Sequence, residues 1–174
     1  MRNKLIISLI ALACLGLLST IAFAQKNPRS TARIEIGGKF IFIEYGRPSL
    51  KGRDMLGQLE TNKIWRLGAD KSTTFTSDTN LSFNKVFVPQ GTYSLWLKKL
   101  GDKSYELLFN KKSGQWGTQH ESIDDFASVP LSFSAGNENI EMFTINLSKA
   151  NKGNGGEIEF LWGSSVLKAP FNVK

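Results

Sequence analysis

Four cations fall within 20 residues of one another: Arg47, Lys51, Arg53 and Arg66, the last beside Trp65. Guanidinium groups grip a carboxylate, sulfate or phosphate through paired N–H bonds, and a lysine adds a point charge. A neighbouring indole offers a flat face to a sugar ring or a cation. The group therefore has the composition of a site for an anionic or glycan ligand. The same residues have a purely architectural use. Arginines can tie a loop to backbone carbonyls and to Asp54, Glu60 or Asp70, with Trp65 as a core anchor. Exposure of the guanidiniums separates the two uses. Trp116, in the glycine-rich Ser113-Gly114-Gln115-Trp116-Gly117, is the best candidate for an exposed aromatic. Trp96 and Trp162 sit in strand-like runs, as core residues do.

Enzyme chemistry has thinner support. A serine hydrolase needs a base beside its nucleophile, and His120 is the sole imidazole. No Gly-x-Ser-x-Gly elbow is present. His120 with Glu121, Asp124 and Asp125 reads as a solvated acidic loop rather than a catalytic or calcium site. Pairs of carboxylates for glycoside hydrolysis could come from Glu35, Glu44, Asp54, Asp70 or Glu106. The expectation is a non-catalytic ligand-binding or interaction module of the cell envelope; the alternative is an envelope hydrolase of glycans or esters using carboxylates or His120. No cofactor is expected, because Gly153-Asn154-Gly155-Gly156 lacks the strand–helix context of a phosphate loop. No metal is expected either, with one histidine and one cysteine in the chain.

The elements that must position these residues repeat with period two. Arg33 to Ile36 alternates, Gly37-Gly38 is a two-residue turn signal, and Lys39 to Tyr45 alternates again, which predicts a hairpin. Ile41, Ile43 and Tyr45 share one face, Phe40, Phe42 and Glu44 the other. Two largely apolar faces predict a strand central to a packed sheet. Further strands are predicted at 73–77, 81–83, 85–88, 92–98, 105–110, 129–134, 141–147, 157–162 and 165–173, with turn residues between them. About ten short strands and no long stretch of period 3.6 make the fold all-β, an antiparallel sandwich or squat barrel. Asp54 can cap a turn through Leu59, and Ser122 to Phe126 can form another. The 18-residue connection Gly46 to Lys63 carries Leu50, Met55, Leu56 and Leu59, so it is expected to pack down as a long loop after the first hairpin.

The chain opens with Met1-Arg2-Asn3-Lys4, an apolar run, and Ala22-Phe23-Ala24, the pattern of a signal peptide cleaved before Gln25. Leu5 to Ala24 would alternatively just span a bilayer as an uncleaved anchor. Cys14 raises lipidation, against which the greasy Leu15 to Phe23 stands. Cleavage divides the chain into a signal, 1–24, and a single domain, 25–174, with no membrane span left. It places the protein in the periplasm or outside the cell. Removal of Arg2 and Lys4 takes the formal charge from +7 to +5 and leaves no cysteine. Disulfides and thiolate chemistry are then excluded, and stability must come from packing and sheet bonds. A domain of 150 residues buries roughly 70% of its unfolded surface, enough for that. The cations are dispersed with runs no longer than pairs, which argues against nucleic acid as a partner.

The blocks Tyr45-Gly46-Arg47-Pro48-Ser49-Leu50-Lys51-Gly52-Arg53, Trp65-Arg66-Leu67-Gly68-Ala69, Pro89-Gln90-Gly91-Thr92-Tyr93-Ser94-Leu95 and Gln115-Trp116-Gly117 occur in an order that resembles the exported bacterial family catalogued as domain of unknown function 2911. The likeness runs roughly from Pro28 to Val173. Lys71 departs from the family, which often has Glu there. The resemblance implies an exported β-rich single domain and carries over no catalytic residues, since no activity is attached to the family.

Overall fold

Gly37 and Gly38 both lie at positive φ, +58° and +76°, the signature of a type I′ turn. They close a hairpin of β1 (Arg29–Ile36) and β2 (Lys39–Gly46) in which Ile36 faces Lys39 and Arg29 faces Gly46. The computed structural model describes residues 27–174. The signal segment and Cys14 lie outside the described residues. Among the described residues no helix is long and apolar enough to cross a membrane.

Eight strands follow: β3 (Ile64–Trp65), β4 (Thr73–Ser77), β5 (Leu81–Phe83), β6 (Val86–Val88), β7 (Gly91–Gly101), β8 (Ser104–Asn110), β9 (Asp125–Lys149) and β10 (Gly155–Val173). All pairings are antiparallel, in the order β1-β2-β4-β7-β8-β9-β10-β5-β6, with β3 beside β7. The sheet does not close. It folds over into two layers, so the architecture is the sandwich that period-two alternation predicts and not the barrel. The long β9 makes the fold possible. Its residues 125–131 pair with β8 in the first layer, and its continuation to Lys149 pairs with β10 in the second. Four late runs expected as separate strands are thus two long ones. Their ladder is interrupted around Gly163 (φ +61°), where the register shifts instead of turning back.

The inward faces of both layers supply one core, including Ile41, Ile43, Phe75, Leu95, Leu107, Phe109, Phe143, Ile158, Phe160 and Phe171. β2 lies inside the sheet, between β1 and β4, but only its Ile41 face enters this core. Phe40 remains exposed on the outer face, where the Arg33 guanidinium sits 4.4 Å over its ring.

The connection after β2 packs down as expected, with Leu50 and Leu56 buried. Asp54 Oδ1 accepts the Gly57 N–H at 2.9 Å, and Gln58 N–H bonds Asp54 O at 3.0 Å, giving a single turn. The mostly buried Lys99 amine holds that turn from below, donating to Leu56 O at 3.3 Å and Gly57 O at 3.1 Å. Ser122–Asp124 forms a short 3₁₀ turn.

Candidate functional site

β2 ends at Gly46, and the chain then crosses to the second layer. Arg47 N–H bonds Pro28 O at 2.7 Å, Phe143 N–H bonds Pro48 O at 3.0 Å, and Ser49 bridges Met142. This crossing lays Arg47 along β9, where Nε donates to Phe143 O at 3.1 Å and Nη2 to Thr144 Oγ1 at 3.0 Å. Lys51 and Gly52 both take positive φ, +51° and +72°, and turn the chain so that Arg53 folds back. Its Nε donates to Leu50 O at 3.0 Å and its Nη2 to Ser49 O at 3.3 Å. Each guanidinium has committed two of its five N–H groups, which fixes its position and leaves donors over.

Arg47, Lys51 and Arg53 line one cleft of about 290 Å³, together with Asn27, Ser49 and Met142. Among the described residues none of the three cations forms an ion pair. The neighbouring acid is Glu141, whose Oε1 accepts from the Ser49 hydroxyl and from Lys51 N–H at 2.9 Å. The Ser49 hydrogen bond, then the Lys51 N–H, hold this carboxyl below its ordinary range, outweighing the opposing effect of burial, with the Lys51 charge adding least. A carboxylate with a depressed folded pKa stabilises fully above the unfolded value and loses that contribution as pH falls through the folded one. The gap in urea midpoint between the wild type and Glu141→Gln is therefore expected to stay constant above about pH 4.5 and to shrink below it.

Trp65 and Arg66 part company at the end of β3. The Trp65 ring stacks on Trp162 at 5.0 Å and meets Phe143 edge-on at 5.1 Å, so its faces serve the packing between layers. Leu67 (φ +46°) and Gly68 (φ +152°) then kink the chain, with Leu67 fully buried. Gly68 and Ala69 lie directly on Gly46: a Cβ on Gly46 would come within 2.3 Å of Ala69 O. Beyond the kink, Gly117 N–H bonds Asp70 O at 2.8 Å, Ser72 N–H bonds Gln115 O at 2.9 Å, and Lys71 bridges Trp116. Arg66 lays its stem across Gly117, where a Cβ would stand 2.1 Å from Arg66 Cδ. Trp116 is 55% exposed. Asn27, a wall of the cleft, donates to Asp70 Oδ2 at 3.3 Å and so joins the two neighbourhoods. The blocks singled out in the sequence are thus one another's packing partners.

Residues 27–171 match the family described as protein of unknown function, DUF2911. The chain belongs to this family. No curated protein and no solved structure matches it.

The DUF2911 chain keeps its single histidine in a different place, over the outer face of β7 and β8. The His120 ring lies 4.7 Å from that of Trp96, which is buried there under the loop after β8. His120 Nε2 is 3.0 Å from both Asp125 oxygens, and Asn110 Nδ2 donates to Asp125 Oδ1 at 2.8 Å. Lys112 pairs with Glu121 at 2.8 Å and Asp124 at 3.3 Å, and these bonds hold its amine above the usual range. The nearby Ser94 Oγ accepts from Trp96 Nε1 at 2.8 Å and Gln115 Nε2 at 3.0 Å. No hydroxyl bonds to His120 among the described residues. The cluster fastens a loop to a sheet face. A larger cleft, about 440 Å³, opens between β5, β9 and β10 against Phe83, Val129 and Phe171. Its one cation, Lys168, is matched by Glu157 and Glu159, each at 3.1 Å.

The structure therefore brings Arg47, Lys51 and Arg53 to one cleft and places Arg66 with Trp116 on adjoining ground, while Trp65 faces the core. Sequence reasoning did not single out Asn27, Glu141 or the pairing of Lys71 with Trp116. Glu141 lies 92 residues from Ser49, and no local pattern announces that meeting.

Proposed function

We propose that this DUF2911 chain is a non-catalytic binding module of the bacterial cell envelope that takes an anionic group in the Arg47–Lys51–Arg53 cleft. The observation that carries the reading is three cations around one cavity with no ion pair of their own. Two of them are pre-positioned by backbone carbonyls, which lowers the ordering cost of binding. The amino-terminal signal pattern supports export, and the lack of any cysteine beyond Cys14 leaves no thiol to mispair once that signal is removed. The hydrolase alternative has less support, because His120 is committed to Asp125 and Trp96 with no hydroxyl bonded to it.

Thermal melts with galacturonate and with inorganic sulfate test this at fixed ionic strength. A ligand at a hundred times its Kd adds about 2.7 kcal/mol. At roughly 2–4 °C per kcal/mol, the melting temperature should rise by about 5–11 °C. The double variant Lys51→Glu with Arg53→Gln should lose the rise. An equal rise in that variant, or none in the wild type, would overturn the reading.

A further inference from the structure

We infer that the ligand is an acidic oligosaccharide, bound along a surface running from the cleft, past Asp70, to Trp116. This rests on the cleft reading and names its ligand class. Trp116 is exposed yet stands on a fixed backbone: its N–H bonds Gln119 Oε1 at 3.1 Å, its carbonyl accepts Gln119 N–H at 2.9 Å, and it bridges Lys71. Arg66 is pinned beside it by the close approach to Gly117, and Lys71 lies opposite. Among the described residues neither cation has an ion pair or a side-chain hydrogen bond. An exposed indole with one uncompensated cation paired across its backbone and another packed on the next residue suits a sugar ring bearing an acid group: the C–H face stacks and the acid meets the charges.

The step between cleft and platform narrows the class. Asn27 lines the cleft and bonds Asp70, the residue preceding Lys71. Asp70 places a carboxylate in the path between two cationic stations. Sugar hydroxyls donate to a carboxylate, whereas a run of phosphodiesters or a polyphosphate meets it with like charge. A chain whose acid groups alternate with hydroxyls matches cation, carboxylate and cation in turn. Sequence-tolerant nucleic-acid surfaces combine a continuous positive groove with successive stacking aromatics. Here one exposed indole follows a negative charge.

Calorimetric titration with galacturonate monomer, dimer, tetramer and hexamer separates the two claims. Expected is monomer binding to the wild type, with affinity rising with length. The gain from monomer to hexamer should shrink roughly tenfold in Trp116→Ala, whose exposed side chain leaves the core untouched. A heparin-derived hexamer shares the acid-on-sugar chemistry and, binding tighter than neutral maltohexaose, would also support the class. Hexamer binding no tighter than monomer binding, or a length gain unchanged in Trp116→Ala, overturns the extension and leaves the cleft standing. Sulfate binding without binding of any galacturonate overturns the inference and leaves the cleft standing, whereas failure of sulfate and every galacturonate overturns the cleft as well. Maltohexaose binding as tightly as the acidic hexamers, or a single-stranded oligonucleotide binding tighter with the same Trp116 dependence, also overturns the inference.

Discussion

Trp162→Ala is expected to cost about 3–5 kcal/mol, lowering the melting temperature by roughly 6–20 °C in a calorimetric scan. Trp162 is buried on β10, stacked on Trp65 at 5.0 Å with ring planes 15° apart, and it meets Phe143 of β9 at 5.7 Å. Phe143 in turn meets Tyr45 of β2 edge-on at 5.8 Å. Four rings thus link the hairpin, β3, β9 and β10, and deleting one of the two indoles leaves a void that the strands on both sides cannot fill. Among the described residues the buried Trp162 indole Nε1–H has no partner, which costs part of what the ring contributes. Trp162→Phe should for that reason be far milder than its lost volume suggests, since it removes the orphan donor together with the second ring. If the two variants melt alike, the stack is not what holds the layers at this point.

Gly46→Ala should be the costliest glycine-to-alanine change among the described residues, about 3 kcal/mol, at the upper end of overpacking. The new carbon would stand 2.3 Å from the carbonyl oxygen of Ala69 and 3.0 Å from Ala69 N, and backbone cannot swing aside as a side chain can. The expected loss in melting temperature is roughly 6–12 °C. Gly101→Ala is the control, with nothing within 4 Å of the added carbon, and should be close to neutral. Because Gly46 immediately precedes Arg47, the same variant should weaken galacturonate binding by displacing the cleft wall. A stable Gly46→Ala protein would mean that the contact with Ala69 relaxes at little cost.

Features set by neighbours in the chain were legible in the sequence. Gly37-Gly38 announces its turn because two adjacent residues without Cβ are what positive φ requires, and alternation in β1 shows which residues enter the core. The two halves of β9 read as separate strands in the sequence, while in the fold residues 135–140 are a ladder irregularity opposite Gly163, within the second layer. The candidate site was legible in composition and not in geometry. Arg47 spends its donors on Phe143 and Thr144, 96 and 97 residues away, and Trp65 loses its ring face to Trp162 on the last strand. Such partners are chosen by topology, and local sequence carries no trace of the choice. Trp116 was legible as exposed because the glycines around it offer little apolar surface to cover an indole.

The strand common to both layers has a consequence for how the molecule comes apart. In sandwiches whose layers touch only through side chains, one sheet can open while the other persists. Here Asp125–Lys149 gives one length of its backbone ladder to β8 and another to β10. Stripping either layer is expected to fray the strand on which the other is built, so hydrogen-exchange protection in the core strands of the two layers should be lost together. The cleft draws on both layers, through Arg47 just after β2 and Met142 on β9, and its walls are expected to be lost together with them.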